Sequence, residues 1–497
     1  MQKNRKKVII IGGGTAGVTI ANRLQDYFDV MIIEKSKYKK YFWLYKVPLM
    51  IGILFRKIVP THVTKREFTL ADGRKIPFYE SNLFGGASIM NGAVHVFGFE
   101  SVWKKILQKF DISYDELMRS NEEIYSFDIK QSDKISLMLA PQNIIDEAFI
   151  QTLNQKNIMS GDMGYSEGEV CGPIQNTVKK YFRTSVLSLL KKTNFTLTLS
   201  EKVESIVFDK DNNVRGVKTD KRVIDSDYVI VSAGVIGSCD LMLKAQANGY
   251  LPQELDIGEI QDHTNIRVNV FANEPIDSLN EVYDSWFKKL VLGFNHFTGQ
   301  PTVMRGTGAT SAAYLDLDND GQIDTRIQIL QFAETTRHGY GNNGYLFGSN
   351  KPSFSISINA IHPESKGRIT LEGENTIVNP NFLSAQKDMD ILKRALKYSI
   401  DLLKSPPLNN YVLEIIDEAL IIKDPETFIK NTMYSGHHLL GGLDKAINSD
   451  FEVKGAQRLF VCDASIFDRF AASNIHSSVV LIADLFAKKF ISKNVAP

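Results

Sequence analysis

The sequence predicts an α/β fold built around a parallel sheet, and three observations near its start carry that prediction. Val8 to Ile11 is an unbroken apolar, β-branched run, as expected of a strand buried on both faces. A glycine-rich turn, Gly12 to Gly17, follows it directly. Val18, Ile20, Ala21 and Leu24 then recur at helical spacing before a second apolar run, Val30 to Ile33. Strand, turn, helix and strand in this order make a βαβ unit.

Later segments extend the pattern. Phe195 to Leu199, Val203 to Phe208 and Val214 to Val217 read as strands, the last two joined by the turn Asp209-Lys210-Asp211-Asn212-Asn213. Tyr228 to Ser232 reads as another buried strand, followed by helix near Leu241 to Ala245. Residues 352 to 371 alternate as sheet, Gln386 to Leu403 carries a helical apolar stripe, and the chain closes with strand Leu459 to Cys462 and helix Ser477 to Phe490.

At 497 residues, two or three structural regions are expected. The 58 basic and 57 acidic residues nearly cancel. No global electrostatic argument for nucleic acid or a charged partner follows. Cys171, Cys239 and Cys462 lie too far apart for a metal-type pair or a disulfide framework, so a reducing, cytoplasmic setting fits best. The basic residues before Val8 do not open a secretory signal, because the apolar run is short and passes straight into the glycines. Tyr41 to Phe55 is apolar but too short to span a bilayer, and is expected in the core or a pocket wall.

Gly12-Gly13-Gly14-Thr15-Ala16-Gly17 has the form G-x-G-x-x-G between a strand and a helix. In that context Gly12 permits the turn, Gly14 lets a pyrophosphate approach the backbone, and Gly17 lets helix and strand pack closely. The phosphates are expected at the positive end of the helix dipole. Glu34 closes the second strand seventeen residues after Gly17. A carboxylate there accepts from ribose hydroxyls and repels a 2′-phosphate, which disfavours NADP and leaves FAD and NAD open.

Several segments resemble the glucose/methanol/choline oxidoreductase family. Phe84-Gly85-Gly86-Ala87-Ser88-Ile89-Met90-Asn91-Gly92 is similar to its G-G-x-S-x-x-N loop, and Ser232 to Ser238 to its second signature. Gln261-Asp262-His263 resembles its L-Q-D-H turn, and His362 to Ile369 its P-x-S-x-G-R-I strand. His438-Leu439-Leu440-Gly441-Gly442 is similar to the H-P-L-G-G catalytic loop, and Val461-Cys462-Asp463-Ala464-Ser465 to the V-x-D-A-S strand. The matches keep family order over nearly the whole chain.

That resemblance implies FAD and the oxidation of an alcohol. It implies that Gly85, Gly86, Ser88 and Asn91 lie along the flavin and its pyrophosphate, that Asp463 and Ala464 contact it through backbone groups, and that Val203 lies near the adenine. His438 is the expected base: removing a hydroxyl proton makes the carbon's hydride easy to transfer, and a neutral imidazole can accept that proton. Asn474 is expected to donate to the substrate oxygen, with His476 competing for that role. His437 is the weaker alternative for the base. Relatives with covalent FAD carry histidine immediately before the loop asparagine; Met90 stands there, so FAD is expected to be dissociable.

The expected division is a discontinuous, Rossmann-like FAD-binding domain and a substrate-binding domain of mostly antiparallel sheet and helices. Residues 1–100, 181–270 and 436–497 form the first, residues 101–180 with a cap and 271–435 the second. Tyr41 to Ile51 and Phe294 to Thr310 are expected to line the pocket. The partners expected are a small-molecule alcohol and an electron acceptor, with no nucleic acid and no integral membrane segment. A lyase or photodecarboxylase on the same scaffold, or a non-catalytic FAD-binding protein, are the alternatives.

One motif stands outside this scheme. Asp316, Asp318, Asp320 and Asp324 have calcium-loop spacing, with Gly321 at the bend. Ile327 occupies the twelfth position where a bidentate glutamate is usual, and Asn319-Asp320-Gly321 is equally good turn chemistry for a hairpin tip.

Overall fold

A computed structural model describes residues 5–37, 43–49, 62–70, 73–165, 167–190, 192–283, 285–300, 302–334 and 350–495. The first strand, Lys7–Ile11, pairs in parallel with Asp29–Glu34 on one side and Tyr228–Val231 on the other. Thr196–Leu199 and Leu459–Val461 complete a five-stranded sheet at its two edges. In chain order the strands lie 3-2-1-4-5, the doubly wound arrangement, and the direction of winding reverses between Lys7–Ile11 and Tyr228–Val231. Val8, Ile9, Ile10, Val229, Ile230 and Val231 are fully buried, which explains why these strands read as continuous apolar runs.

The helices on the sheet follow from the same logic. Thr15–Leu24 buries Val18, Ile20, Ala21 and Leu24, the stripe read from the sequence. The last helix, His476–Asn494, is buried almost all round, because it packs on the first helix and also on Tyr114–Ile124. Asp484 ties these pieces together, accepting from Arg23 Nε at 2.5 Å and from Ser120 Oγ at 2.5 Å.

The second region is an antiparallel sheet in the order Val412–Ile415, Thr264–Ala272, Ser353–Ala360, Thr325–Leu330, Ala309–Leu315, Val170–Pro173. Its strands alternate. Ile266, Val268, Val270, Phe354, Ile356, Ile358, Ile327 and Ile329 share a core with helix Gln386–Leu403. Arg267, Arg326, Ser357 and Asn359 occupy the intervening positions and belong to the opposite face.

Two features depart from the expected bounds of the regions. Strand Thr264–Ala272 crosses the boundary at 270 and lies wholly in the antiparallel sheet. Helices Glu100–Gln108 and Tyr114–Ile124, expected with the substrate region, instead bury Trp103, Ile106, Leu107 and Leu117 in the core of the parallel sheet. Apolar spacing tells that a helix has a buried face but not which sheet covers it.

Candidate active site

One cavity of about 2100 Å³ runs from the switch point of the parallel sheet to the polar face of the antiparallel one. At the switch point, Gly17 and Gly12 are so close that a Cβ on Gly17 would sit 2.0 Å from the Gly12 carbonyl oxygen. The first helix therefore starts directly against the strand, with Gly12, Gly14, Thr15 and Ala16 at the cavity wall. The second glycine loop docks on the first through Gly85 N–H donating to Gly13 O at 2.7 Å. Gly86 has φ +57°, and a Cβ there would meet Gly14 Cα at 2.7 Å. The two loops thus form a bare backbone cradle of the kind a diphosphate needs.

Glu34 lines the same cavity. Its Oε2 accepts from Gly13 N–H at 2.7 Å and its Oε1 from Ser36 N–H at 2.8 Å, so the carboxylate also fixes the glycine turn. Each oxygen keeps a second lone pair for a ribose hydroxyl. Val203, Asn91, Asp463 and Ala464 line the cavity as well. Asp463, buried, accepts from Gly234 N–H at 2.9 Å and from Ser238 Oγ at 2.5 Å, joining the second signature to the closing strand. Ser88 departs from expectation: its hydroxyl donates to Gly85 O at 2.6 Å inside the loop, where it supports the turn and does not face the cavity. Gly85 and Gly17 likewise shape the loops from behind the cavity wall.

At the other end, His438 and Asn474 meet. Asn474 Nδ2 lies 2.9 Å from His438 Nε2. The amide is oriented by Arg326, whose Nη1 donates to Asn474 Oδ1 at 2.6 Å and to Ser473 Oγ at 2.9 Å. On its far side, His438 Nδ1 lies 2.9 Å from Nδ1 of His263, and His263 Nε2 lies 2.8 Å from the carbonyl oxygen of Ile361. Burial holds His438 well below the usual histidine pKa and pulls His263 down to about 3, so both rings are neutral.

These contacts leave one proton arrangement. A carbonyl only accepts, so His263 carries its hydrogen on Nε2 and its Nδ1 is a bare acceptor. His438 must then carry hydrogen on Nδ1, and its Nε2 presents a lone pair to the cavity. Asn474, with its oxygen taken by Arg326, offers N–H to that lone pair. The loop itself is held by Asp262, which accepts from His438 N–H at 2.9 Å, from His263 N–H at 2.8 Å and from Ser435 Oγ at 2.5 Å. Burial outweighs these donors and pushes the Asp262 carboxyl up to about 7.

The competing histidines line the same cavity in different settings. His437 has φ +59° and its ring stacks on Phe78 and Tyr79, with centroids 5.2 and 5.9 Å away. His476 begins the last helix at the cavity wall; its Nε2 is buried without a hydrogen-bond partner, and burial pulls its pKa down to about 4. Asn474, not His476, contacts His438. The sequence marks the Gln261-Asp262-His263 turn without giving it a site role, and it does not single out Arg326. The available signal for Arg326 is its place on an alternating strand, out of phase with Ile327 and Ile329.

Of the expected pocket walls, Leu49 and, from the later segment, Met304 and Thr307 line the cavity. Phe294 does not; it is 69% exposed on the outer side of its helix. Residues 41–42 and 50–51 lie outside the described residues. The cavity also meets the hairpin Val63–Thr69 and Lys75–Ser81, and a buried ion pair, Arg267 to Glu334 at 3.2 Å.

The acidic loop connects strands Ala309–Leu315 and Thr325–Leu330, away from the cavity. Carboxylate oxygens of Asp316, Asp318 and Asp324 come within 4.8 Å of one another, while Asp320 is outside that group. Asp316 accepts from the N–H groups of Asp320 and Gly321, and Arg394 lies 3.8 Å from Asp318. Ile327 is fully buried in the strand.

A profile described as GMC oxidoreductase matches residues 363–483. An oxygen-dependent choline dehydrogenase of Vibrio vulnificus is 25% identical, the match covering 98% of this chain and 95% of that protein. An alcohol dehydrogenase (acceptor) of Pseudomonas putida is 22% identical over 98% of this chain and 95% of its own length. Among solved structures, pyridoxine 4-oxidase from Mesorbium loti superposes with a TM-score of 0.80 at 19% identity over 98% of this chain and 99% of that one. A formate oxidase superposes with a TM-score of 0.84 at 15% identity over 99% of both chains. The likeness runs through the parallel sheet and the antiparallel one together, from one end to the other, and it is to enzymes of the glucose/methanol/choline (GMC) oxidoreductase type.

Proposed function

We propose that this oxidoreductase binds FAD without a covalent link and oxidises an alcohol to the carbonyl compound, with His438 as base. The observation that carries the reading is the oriented pair at the cavity wall, Asn474 Nδ2 at 2.9 Å from His438 Nε2. FAD fits the residues present: the Gly14–Gly86 cradle, where a Cβ would collide, suits its diphosphate, Glu34 its ribose, and Val203 its adenine end. When bound, FAD supplies the acceptor for the hydride that leaves the alcohol carbon. Met90 precedes Asn91 in the loop, and a thioether cannot form the ring linkage that a histidine would.

The chain's own residues do the rest. A substrate hydroxyl entering between His438 and Asn474 donates its proton to Nε2 while the amide N–H donates to its oxygen. Proton loss concentrates charge on that oxygen, and the carbon's hydride departs as the carbonyl forms. The positive ring of His438 then strengthens the hydrogen bond from its Nδ1 to His263, which accepts as a neutral imidazole.

Mixing the oxidised holoprotein anaerobically with a panel of alcohols tests the reading: at least one should bleach the flavin. Turnover as a lyase would leave the flavin oxidised, and a non-catalytic binding protein would bleach with none. His438→Ala should slow flavin reduction by roughly 10²- to 10⁴-fold; unchanged reduction would reject His438 as base.

A further inference from the structure

The helix Trp286–Thr298 is turned inside out for a helix on a globular protein. At 100° per residue, Trp286, Phe287, Leu290, Val291, Phe294 and Phe297 fall in a single arc of about 140°, and each is between 41% and 71% exposed. Its opposite side is the anchored one. His296 is fully buried, with Nε2 3.1 Å from Tyr181 O and Nδ1 3.2 Å from Thr302 Oγ1, and Leu292 lines the cavity.

Along the helix and the segment after it, Ser285 to Leu315, the charges have one sign. Lys288 and Lys289 lie outside the apolar arc on the same helix, Arg305 bonds back to Gly299 O at 2.6 Å, and no Asp or Glu occurs from 285 to 315. The neighbouring hairpin, Val178–Lys179 with Phe182–Arg183, adds Lys180, and no Asp or Glu occurs from 170 to 200. Its exposed Phe182 continues the aromatic patch, 6.3 Å from the ring of Phe297.

We propose that this face docks the protein on a lipid bilayer bearing anionic headgroups, with the helix lying in the interfacial plane. A convex rod of Trp, Phe and Leu edged by lysine suits a headgroup boundary, into which such a face sinks about 5–10 Å. A protein groove would have to match it in shape, whereas a fluid interface does not. Lysines and an absence of carboxylates complement the negative surface potential of anionic lipid, each contributing within a Debye length of the surface. Docked this way, the cavity wall carrying Leu292 lies immediately beneath the membrane-facing surface.

The test is flotation of the full holoprotein with vesicles of phosphatidylcholine containing phosphatidylglycerol, beside vesicles of phosphatidylcholine alone. The protein should float with the mixed vesicles, less with the neutral ones, and less as salt rises. Phe287→Gln with Phe294→Gln should lower the partition coefficient at least about tenfold, with the flavin spectrum and melting temperature kept. Lys288→Gln should weaken binding to the mixed vesicles alone. Failure to float with either vesicle, or equal flotation of the double variant, would overturn the proposal. So would a dimer seen by light scattering that the double variant abolishes, since the face would then be a contact between copies.

Discussion

Two imidazoles that meet nitrogen to nitrogen can hold only one proton between them, and the backbone carbonyl of Ile361 decides where it sits. His263 lies 175 residues before His438, yet its contact fixes which nitrogen of His438 faces the cavity. A variant that cannot accept at that point frees His438 to take the other tautomer, with hydrogen on Nε2. His263→Leu should therefore slow flavin reduction at saturating alcohol by roughly 10- to 100-fold with substrate affinity little changed. His263→Gln, whose oxygen can accept and whose amide can donate to Ile361, should recover much of that loss. The pH profile tests the same arrangement: because burial keeps His438 unprotonated well below 6.5, the rate should hold as pH falls through 6.5 and decline only at lower pH. A decline centred at 6.5 would mean an ordinary, solvated histidine.

Among the elements, the two glycine loops make the cradle jointly. Gly86→Ala adds a Cβ 2.7 Å from Gly14 Cα at φ +57°, which forces the loops apart. Isothermal titration should find FAD affinity lowered at least about tenfold, with the antiparallel sheet's side of the cavity unaffected. In the acidic hairpin the carboxylates engage the turn's own backbone, while Asp324 Oδ1 is buried without a hydrogen-bond partner. Asp316 and Asp320 accept backbone N–H groups of the turn, Asp324 accepts from Asp318 N–H at 3.0 Å, and Arg394 approaches Asp318. Calcium titrated into chelator-treated protein is expected to give no heat and no shift in melting temperature. Heat with unit stoichiometry would replace the hairpin reading by a metal site. The missing twelfth-position carboxylate is visible in the sequence; the arginine from a distant helix is not.

Across the whole molecule, the cofactor site gathers segments from both ends of the chain and from its middle. Loops after strands Lys7–Ile11, Tyr228–Val231 and Leu459–Val461 meet at the switch point, and His438 and Asn474 line the other end of the same cavity from the late loops. A ligand bound there and not to the unfolded chain stabilises the fold by mass action, about 2.7 kcal/mol at a hundredfold excess over Kd. Removing FAD by dialysis against denaturant or acid salt should yield colourless protein with a lower melting temperature, and added FAD should restore both colour and temperature. Protein that stays yellow after complete unfolding would disprove dissociable binding. Among the described residues no helix is long and apolar enough to cross a membrane.

By itself the sequence determined the local units. The βαβ opening, the helix Gln386–Leu403, the closing strand and helix, and the loops carrying His438 and Asn474 all rest on periodicity, turn chemistry or ordered motifs that are written within a few residues of one another. Tertiary structure decided what depends on contacts between distant segments: the burial of Trp103 and Leu117 beside the parallel sheet, the inward turn of Ser88, the contact of Asn474 with His438, and the tautomer of His438. No local pattern encodes these, because each is set by which group from far along the chain arrives to fill a lone pair or cover an apolar face.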